Sequence, residues 1–251
     1  MVTSDQRRRQ LARDKYARQQ QRRAEAQRRT KRRNTVIAAS LAVVLAAGGA
    51  VYASVQFLGD DDAKSTENEA ATGEPKMAIE AKGTYAFALK TNEGDITVEM
   101  DAAKTPRTVN SFKHLADKKY FDGTKCHRLT TAGIFVLQCG DPEGTGMGGP
   151  GYTIPDENLD ALGKPGADGK VTYKAGTVAM ANTGQPGTGG SQFFLVYKDS
   201  KLPPQYTPFG TIDAAGLKAM QKVGAAGADG GQGDGAPKKP VNIEKATVTA
   251  K

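Results

Sequence analysis

From residue 85 the chain alternates as YAFALKT, breaks at Asn92-Glu93-Gly94-Asp95 and resumes over residues 96–100. Period-two patterning around a turn of that chemistry predicts a β-hairpin. Thr105-Pro106 then opens a helix, with Thr at the N-cap, Pro at the first helical position, and Val109, Phe112, His114 and Leu115 at near-helical spacing. Short strands are predicted at residues 126–130, 135–140, 177–181, 191–197, 208–213 and 241–248. A second helix is predicted at residues 214–223, where Leu217 and Met220 stand three apart; residues 224–235 look too glycine-rich for regular structure. Eight strands and two helices, cut by long glycine-rich connections, predict a mainly β fold, an eight-stranded closed antiparallel barrel rather than βαβ layers.

A different pattern precedes the body. Residues 35–58, TVIAASLAVVLAAGGAVYASVQFL, carry no charge over 24 positions. A helix of that length reaches roughly 36 Å, enough to cross a hydrocarbon core of about 30 Å. Basic residues crowd its N-terminal side and Asp60-Asp61-Asp62 follow it. The positive-inside rule then predicts a single-pass cell-membrane protein with a cytoplasmic N-terminus and an extracytoplasmic body. A cleaved signal peptide ending near Val51-Tyr52-Ala53 is the rival, but the basic region is long and the apolar stretch exceeds the usual secretory core. The organisation expected is a basic cytoplasmic tail (1–34), a transmembrane anchor in the lipid bilayer (35–58), an acidic flexible linker (59–82) and a globular domain (83–251).

Charge changes the picture once. The chain has 35 Lys+Arg against 27 Asp+Glu, a net of +8, yet residues 1–33 alone hold thirteen basic and three acidic side chains. The other 218 residues therefore carry 22 basic and 24 acidic groups, a net of −2. The tail suits orientation on an anionic inner leaflet, and the body lacks the footing for nucleic-acid binding.

Familiar catalytic motifs are missing: no G-x-S-x-G, H-E-x-x-H, C-x-x-C or P-loop Lys occurs. Cys126, His127 and Cys139 lack an evident fourth ligand, so neither a metal nor another cofactor is expected. A Cys126–Cys139 disulfide suits an extracytoplasmic domain, and a simple hairpin would pair the two. If Arg128 and Gln138 share a working face, however, strand parity sends Cys139 to the opposite one, and the sequence leaves the question open.

What remains is a lone Arg128 among Phe135, Val136 and Gln138, followed by Met180-Ala181-Asn182 and Gly190-Ser191-Gln192-Phe193-Phe194. A guanidinium with amides and aromatics, but no acid–base pair, suits recognition of a peptide backbone beside an apolar pocket. HRL…FVLQCGD, then MAN…GGSQFF, then Phe209-Gly210, resemble the cyclophilin-type peptidyl-prolyl cis-trans isomerases over roughly residues 85–249; with its tail, anchor and linker the chain resembles membrane-tethered bacterial members.

The resemblance implies an eight-stranded barrel capped by two helices, with Arg128 as the catalytic arginine. It implies a proline pocket of Phe135, Val136, Phe194 and Leu202, and peptide-backbone contacts from Gln138, Ala181, Asn182 and Gln192. Tyr206 would wall the site where many members carry His, and Gly146, with Gly144 nearly as good a match, would lie beside the neighbouring pocket. Three departures stand out: nine residues separate Arg128 from Gln138 instead of the usual seven, the loop from Asn182 to Gln192 is one residue longer, and Lys201 occupies a position where Trp is common. The expected function is isomerisation of Xaa-Pro bonds in exported or surface proteins by a monomer binding proline-containing polypeptides. The alternative is a proline-peptide binding or chaperone module with little turnover.

Overall fold

The computed structural model describes residues 73–251. The expected tail, the anchor at 35–58 and most of the linker lie outside the described residues. Among the described residues no helix is long and apolar enough to cross a membrane.

The hairpin forms as predicted from β1 (Thr84–Thr91) and β2 (Ile96–Asp101), paired antiparallel with Phe87 opposite Val98. Tyr85, Phe87 and Leu89 are buried on one face, as are Ile96, Val98 and Met100. Helix α1 (Pro106–Asp117) follows, and β3 (Thr124–Lys125), β4 (Arg128–Thr130) and β5 (Val136–Cys139) come next. Then come β6 (Val171–Tyr173), β7 (Thr177–Met180), β8 (Phe193–Val196), β9 (Ser200–Leu202) and β10 (Pro208–Ile212). Helix α2 (Ala214–Ala226), β11 (Asp234–Gly235) and β12 (Asn242–Ala250) complete the chain.

Ten strands form one antiparallel sheet in the order β11-β4-β5-β8-β7-β10-β2-β1-β12-β3, and β6 pairs with β9 as a separate ribbon. The fold is thus mainly β, a curled sheet with two helices. Each of the eight predicted strands has a counterpart, and β3, β6, β9 and β11 are short additions of two or three residues. The curl is visible in segment 124–130. It begins paired with β12, the Cys126 amide donates to Val241, and the next amide, His127, donates to Gln138 in β5.

That change of partner between Cys126 and His127 resolves the parity conflict. Alternation carries only along one continuous strand. Cys126 and Cys139 form a disulfide while Arg128 and Gln138 stand opposite one another in the β4–β5 register.

Five phenylalanines organise the main core. Phe112 of α1 lies 5.2 Å from Phe87, 5.5 Å from Phe121, 5.6 Å from Phe193 and 4.7 Å from Phe209, ring to ring. All are fully or almost fully buried, so truncating Phe112 to Ala should cost about 3–5 kcal/mol.

Both helix starts differ in detail from expectation. Thr105 is the N-cap of α1 but makes no capping bond; its hydroxyl donates to Asp101. The first-turn amides of Arg107 and Thr108 donate instead to the carboxylate of Glu157, which also favours the positive end of the helix. Helix α2 is capped by Asp213, whose carboxylate accepts from Gly216, and runs three residues past the predicted end. The glycine-rich stretch 224–235 therefore contains a last helical turn, a short 3-10 turn (Gly231–Gly233) and β11, contrary to the expectation of irregular chain.

Part of the predicted linker is fastened down. The buried Asn110 side chain donates to the carbonyls of Pro75 (3.0 Å) and Lys76 (3.1 Å) and accepts from the Ala78 amide (2.8 Å). Glu74 forms a salt bridge with Arg107. Within the stretch expected as linker, residues 74–78 are thus held against α1.

Candidate functional site

Strand β5 has β4 on one side and β8 on the other, placing Arg128, Gln138 and Phe194 in a row across three strands. Beneath and beside them lies a second, smaller core of Val136, Val171, Tyr173, Ala179, Phe194 and Val196. A cavity of about 100 Å³ opens on it, lined by Arg128, Ile134, Val136, Gln138, Ala181, Asn182, Phe194, Leu202 and Tyr206. The Phe194 and Tyr206 rings meet edge to face at 5.4 Å. The buried Tyr173 hydroxyl donates to the Tyr206 carbonyl at 2.9 Å, fixing that segment, and burial pushes its pKa up to about 12. Leu202 arrives on the β6–β9 ribbon, opposite Val171.

One residue expected to wall the proline pocket stands apart from this cavity. Phe135 is not among the lining residues; its ring packs edge to face on Tyr197 at 6.1 Å and lies under the Lys198 ammonium at 4.4 Å. Ile134, just before β5, lines the cavity together with Val136 and Gln138 of that strand.

The polar groups form a chain. Arg128 donates from Nε and Nη2 to the two carboxylate oxygens of Asp234, at 2.8 and 2.7 Å, and from Nη1 to Oε1 of Gln138 at 3.4 Å. Gln138 Nε2 donates to Gln192 Oε1 at 2.8 Å, and Gln192 Nε2 to the Gly148 carbonyl at 2.8 Å. The bond to Asp234, together with its negative charge and against partial burial, raises the Arg128 pKa above its ordinary value. The same bond lowers that of Asp234, so both are charged at neutral pH. Asp234 was missed because it lies 106 residues from Arg128, in a two-residue strand too short to show a local pattern.

A second, larger depression adjoins the first across Gln138, Ala181 and Asn182. It is lined by Gly146 to Thr153, Thr183, Thr188 and Gly190 to Gln192, so Gly146 falls where the resemblance put it. Its glycine-rich rim is tied to the fully buried Asp141, which accepts from the amides of Glu143, Thr145, Gly146 and Gly148. Burial alone would raise the Asp141 pKa, but these donors outweigh it and hold it at about 2.

Asn182 uses its carboxamide within the fold, donating to the Gln205 carbonyl at 2.7 Å and accepting from the Gly184 amide at 3.0 Å. Ala181 donates its amide to Gln192. His127, beside Arg128, has both ring nitrogens buried without a hydrogen-bond partner. Burial, with Arg128 and Lys125 nearby and only Asp141 opposing, lowers its pKa and keeps it neutral at pH 7. Lys201 points to solvent near Asp168, 3.7 Å away, and does not line the cavity.

This arrangement carries one cation and several amides beside an apolar slot, and the two cysteines of the imagined metal set are bonded to each other. The chain is 49% identical over 162 residues to a probable peptidyl-prolyl cis-trans isomerase B of Mycobacterium tuberculosis, covering 63% of this chain and 52% of that one. It is 48% identical over 170 residues to the Mycobacterium leprae protein of the same description, covering 64% and 56%. It thus spans about half the length of these curated relatives. Among solved structures, a cyclophilin type peptidyl-prolyl cis-trans isomerase of Cryptosporidium parvum superposes with a TM-score of 0.53 at 26% identity, over 67% of this chain and 99% of that one. The same Cryptosporidium protein was also solved in the presence of the dipeptide Ala-Pro, with a TM-score of 0.52, 26% identity, and 66% and 99% coverage. Residues 86–248 match the family model described as cyclophilin type peptidyl-prolyl cis-trans isomerase/CLD, and the chain belongs to that family.

Proposed function

We propose that this chain is a peptidyl-prolyl cis-trans isomerase that turns Xaa-Pro bonds in exported or surface polypeptides, working as a monomer tethered to the bilayer through residues 35–58. The observation that carries the reading is Arg128 on the rim of the cavity lined by Ile134, Val136, Phe194, Leu202 and Tyr206. The presence of Ala-Pro with the Cryptosporidium relative supports it.

Partial double-bond character puts the rotation barrier of the peptide at about 18–20 kcal/mol. No proton transfer, nucleophile or metal is needed to lower it, only a site that fits the twisted amide better than either planar form. The apolar slot holds the prolyl ring while the rest of the peptide turns. As conjugation is lost, the prolyl nitrogen gains lone-pair character, and a fixed guanidinium donor is worth more to that state than to the ground state. Each 1.36 kcal/mol of such preference gives about tenfold in rate.

The test is a protease-coupled Xaa-Pro peptide assay on the full-length chain. Wild type should be active, and Arg128→Ala should lower kcat/KM by roughly a hundredfold or more. An inactive wild type that still binds proline peptides would favour the binding-module alternative. For the placement, protease added to intact cells should degrade the body and spare the basic tail; protection of both would remove the extracytoplasmic assignment.

A further inference from the structure

We propose that Asp234 is the positioning residue for Arg128, and that the glycine-rich loop before it serves to hold that carboxylate in place; the inference rests on the isomerase reading above. Two parallel hydrogen bonds, Nε to Oδ1 at 2.8 Å and Nη2 to Oδ2 at 2.7 Å, fix both the position and the plane of the guanidinium. They occupy one edge of the group. The other edge keeps Nη1, whose bond to Gln138 at 3.4 Å is the longest of the three, so Nη1 is the donor readiest to turn toward a prolyl amide. An unclamped arginine would spread over many rotamers and reach that geometry only part of the time.

Stability does not account for the pair. The Arg128 and Asp234 side chains are 40% and 50% exposed, and an ion pair so open to water contributes little to folding. Its bidentate geometry is what remains to explain.

The loop is built around this carboxylate. Strand β11 pairs with β4, placing Asp234 opposite Thr130 and Gly235 opposite Leu129, within reach of Arg128 on the same strand. The chain folds back tightly to get there: Asp229 donates to Ala236 at 2.6 Å, and Thr131 donates to Gly233 at 2.7 Å. A Cβ at Gly230 would stand 2.8 Å from the Asp234 carbonyl oxygen, and one at Gly235 would overlap the Asp229 carbonyl. Glycine at both positions is a steric requirement of presenting Asp234.

The test compares full-length Asp234→Asn and Asp234→Ser with wild type in the peptide assay at neutral pH. Expected are a fall in kcat of about tenfold, with KM within about twofold, because the clamp acts on a group used mainly in the transition state. In an Arg128→Ala background neither substitution should change the residual rate, as the clamp acts only through Arg128. The Arg128 Nε–H resonance should also leave its carboxylate-bonded position in Asp234→Asn. Full kcat in both variants, an equal loss in the Arg128→Ala background, or an unmoved Nε resonance overturns the inference and leaves the isomerase reading standing. An inactive wild type overturns both.

Discussion

Gln138 and Gln192 share one hydrogen bond, Nε2 to Oε1 at 2.8 Å, and it settles which end of each carboxamide faces which neighbour. With its nitrogen given to Gln192, Gln138 offers its oxygen to Arg128. With its oxygen taken, Gln192 turns its nitrogen to the Gly148 carbonyl on the rim of the second depression. The two cavities are thus joined by oriented amides as well as by shared walls.

Gln192→Ala should free Gln138 to rotate and detach the rim at Gly148. The expected loss is about tenfold in kcat/KM for Xaa-Pro peptides, the scale of one removed transition-state contact. Gln192→Glu keeps an acceptor for Gln138 and should lose less. Equal activity of all three proteins in the peptide assay would show that this link is dispensable.

Acid sensitivity should centre on Asp141. Its folded pKa of about 2 lies below the ordinary 3.8, so its contribution is complete above the ordinary value and vanishes as pH falls through about 2. The difference corresponds to about 2 kcal/mol. Urea midpoints measured from pH 6 down to pH 2 should fall over that window in wild type. Asp141→Asn should be weaker at pH 6 and show a shallower decline.

Removing the strap on α1 should be costly. A fragment starting at Gly83 leaves the buried Asn110 amide without Pro75, Lys76 and Ala78. It should be less stable than one starting at Gly73 by about 2–3 kcal/mol, the penalty for stranding a buried polar side chain. Paired chemical denaturation curves would check this; coincident curves would show that the strap adds nothing.

Reducing the disulfide should also weaken the fold. Cys126 and Cys139 are 13 positions apart, and closing a loop of that size constrains the unfolded chain by about 3 kcal/mol. Cys126→Ser with Cys139→Ser should lower the denaturation midpoint accordingly. A variant as stable as the oxidised wild type would mean the link adds nothing.

Most of the sheet was readable from residues alone because period-two burial was strong, as in Tyr85, Phe87 and Leu89 of β1. Arg128, Val136, Gln138 and Phe194 meet as the motifs implied. Phe135 looked like a pocket wall because it is a large aromatic next to Val136, yet its ring packs on Tyr197. Two partners had no local signature: Glu157 on the α1 amides and Asp234 on Arg128, each fixed only by tertiary structure. The short strands escaped because two or three residues are too few for a period to show.

The exchange of hydrogen-bonding partners between Cys126 and His127 ties the proposed chemistry to the architecture. The arginine hangs one residue beyond the point where the chain leaves β12 and joins β5, so prising those two strands apart would carry it off its slot. Heat should therefore extinguish turnover and unzip the sheet together, with no surviving globule that has merely gone idle.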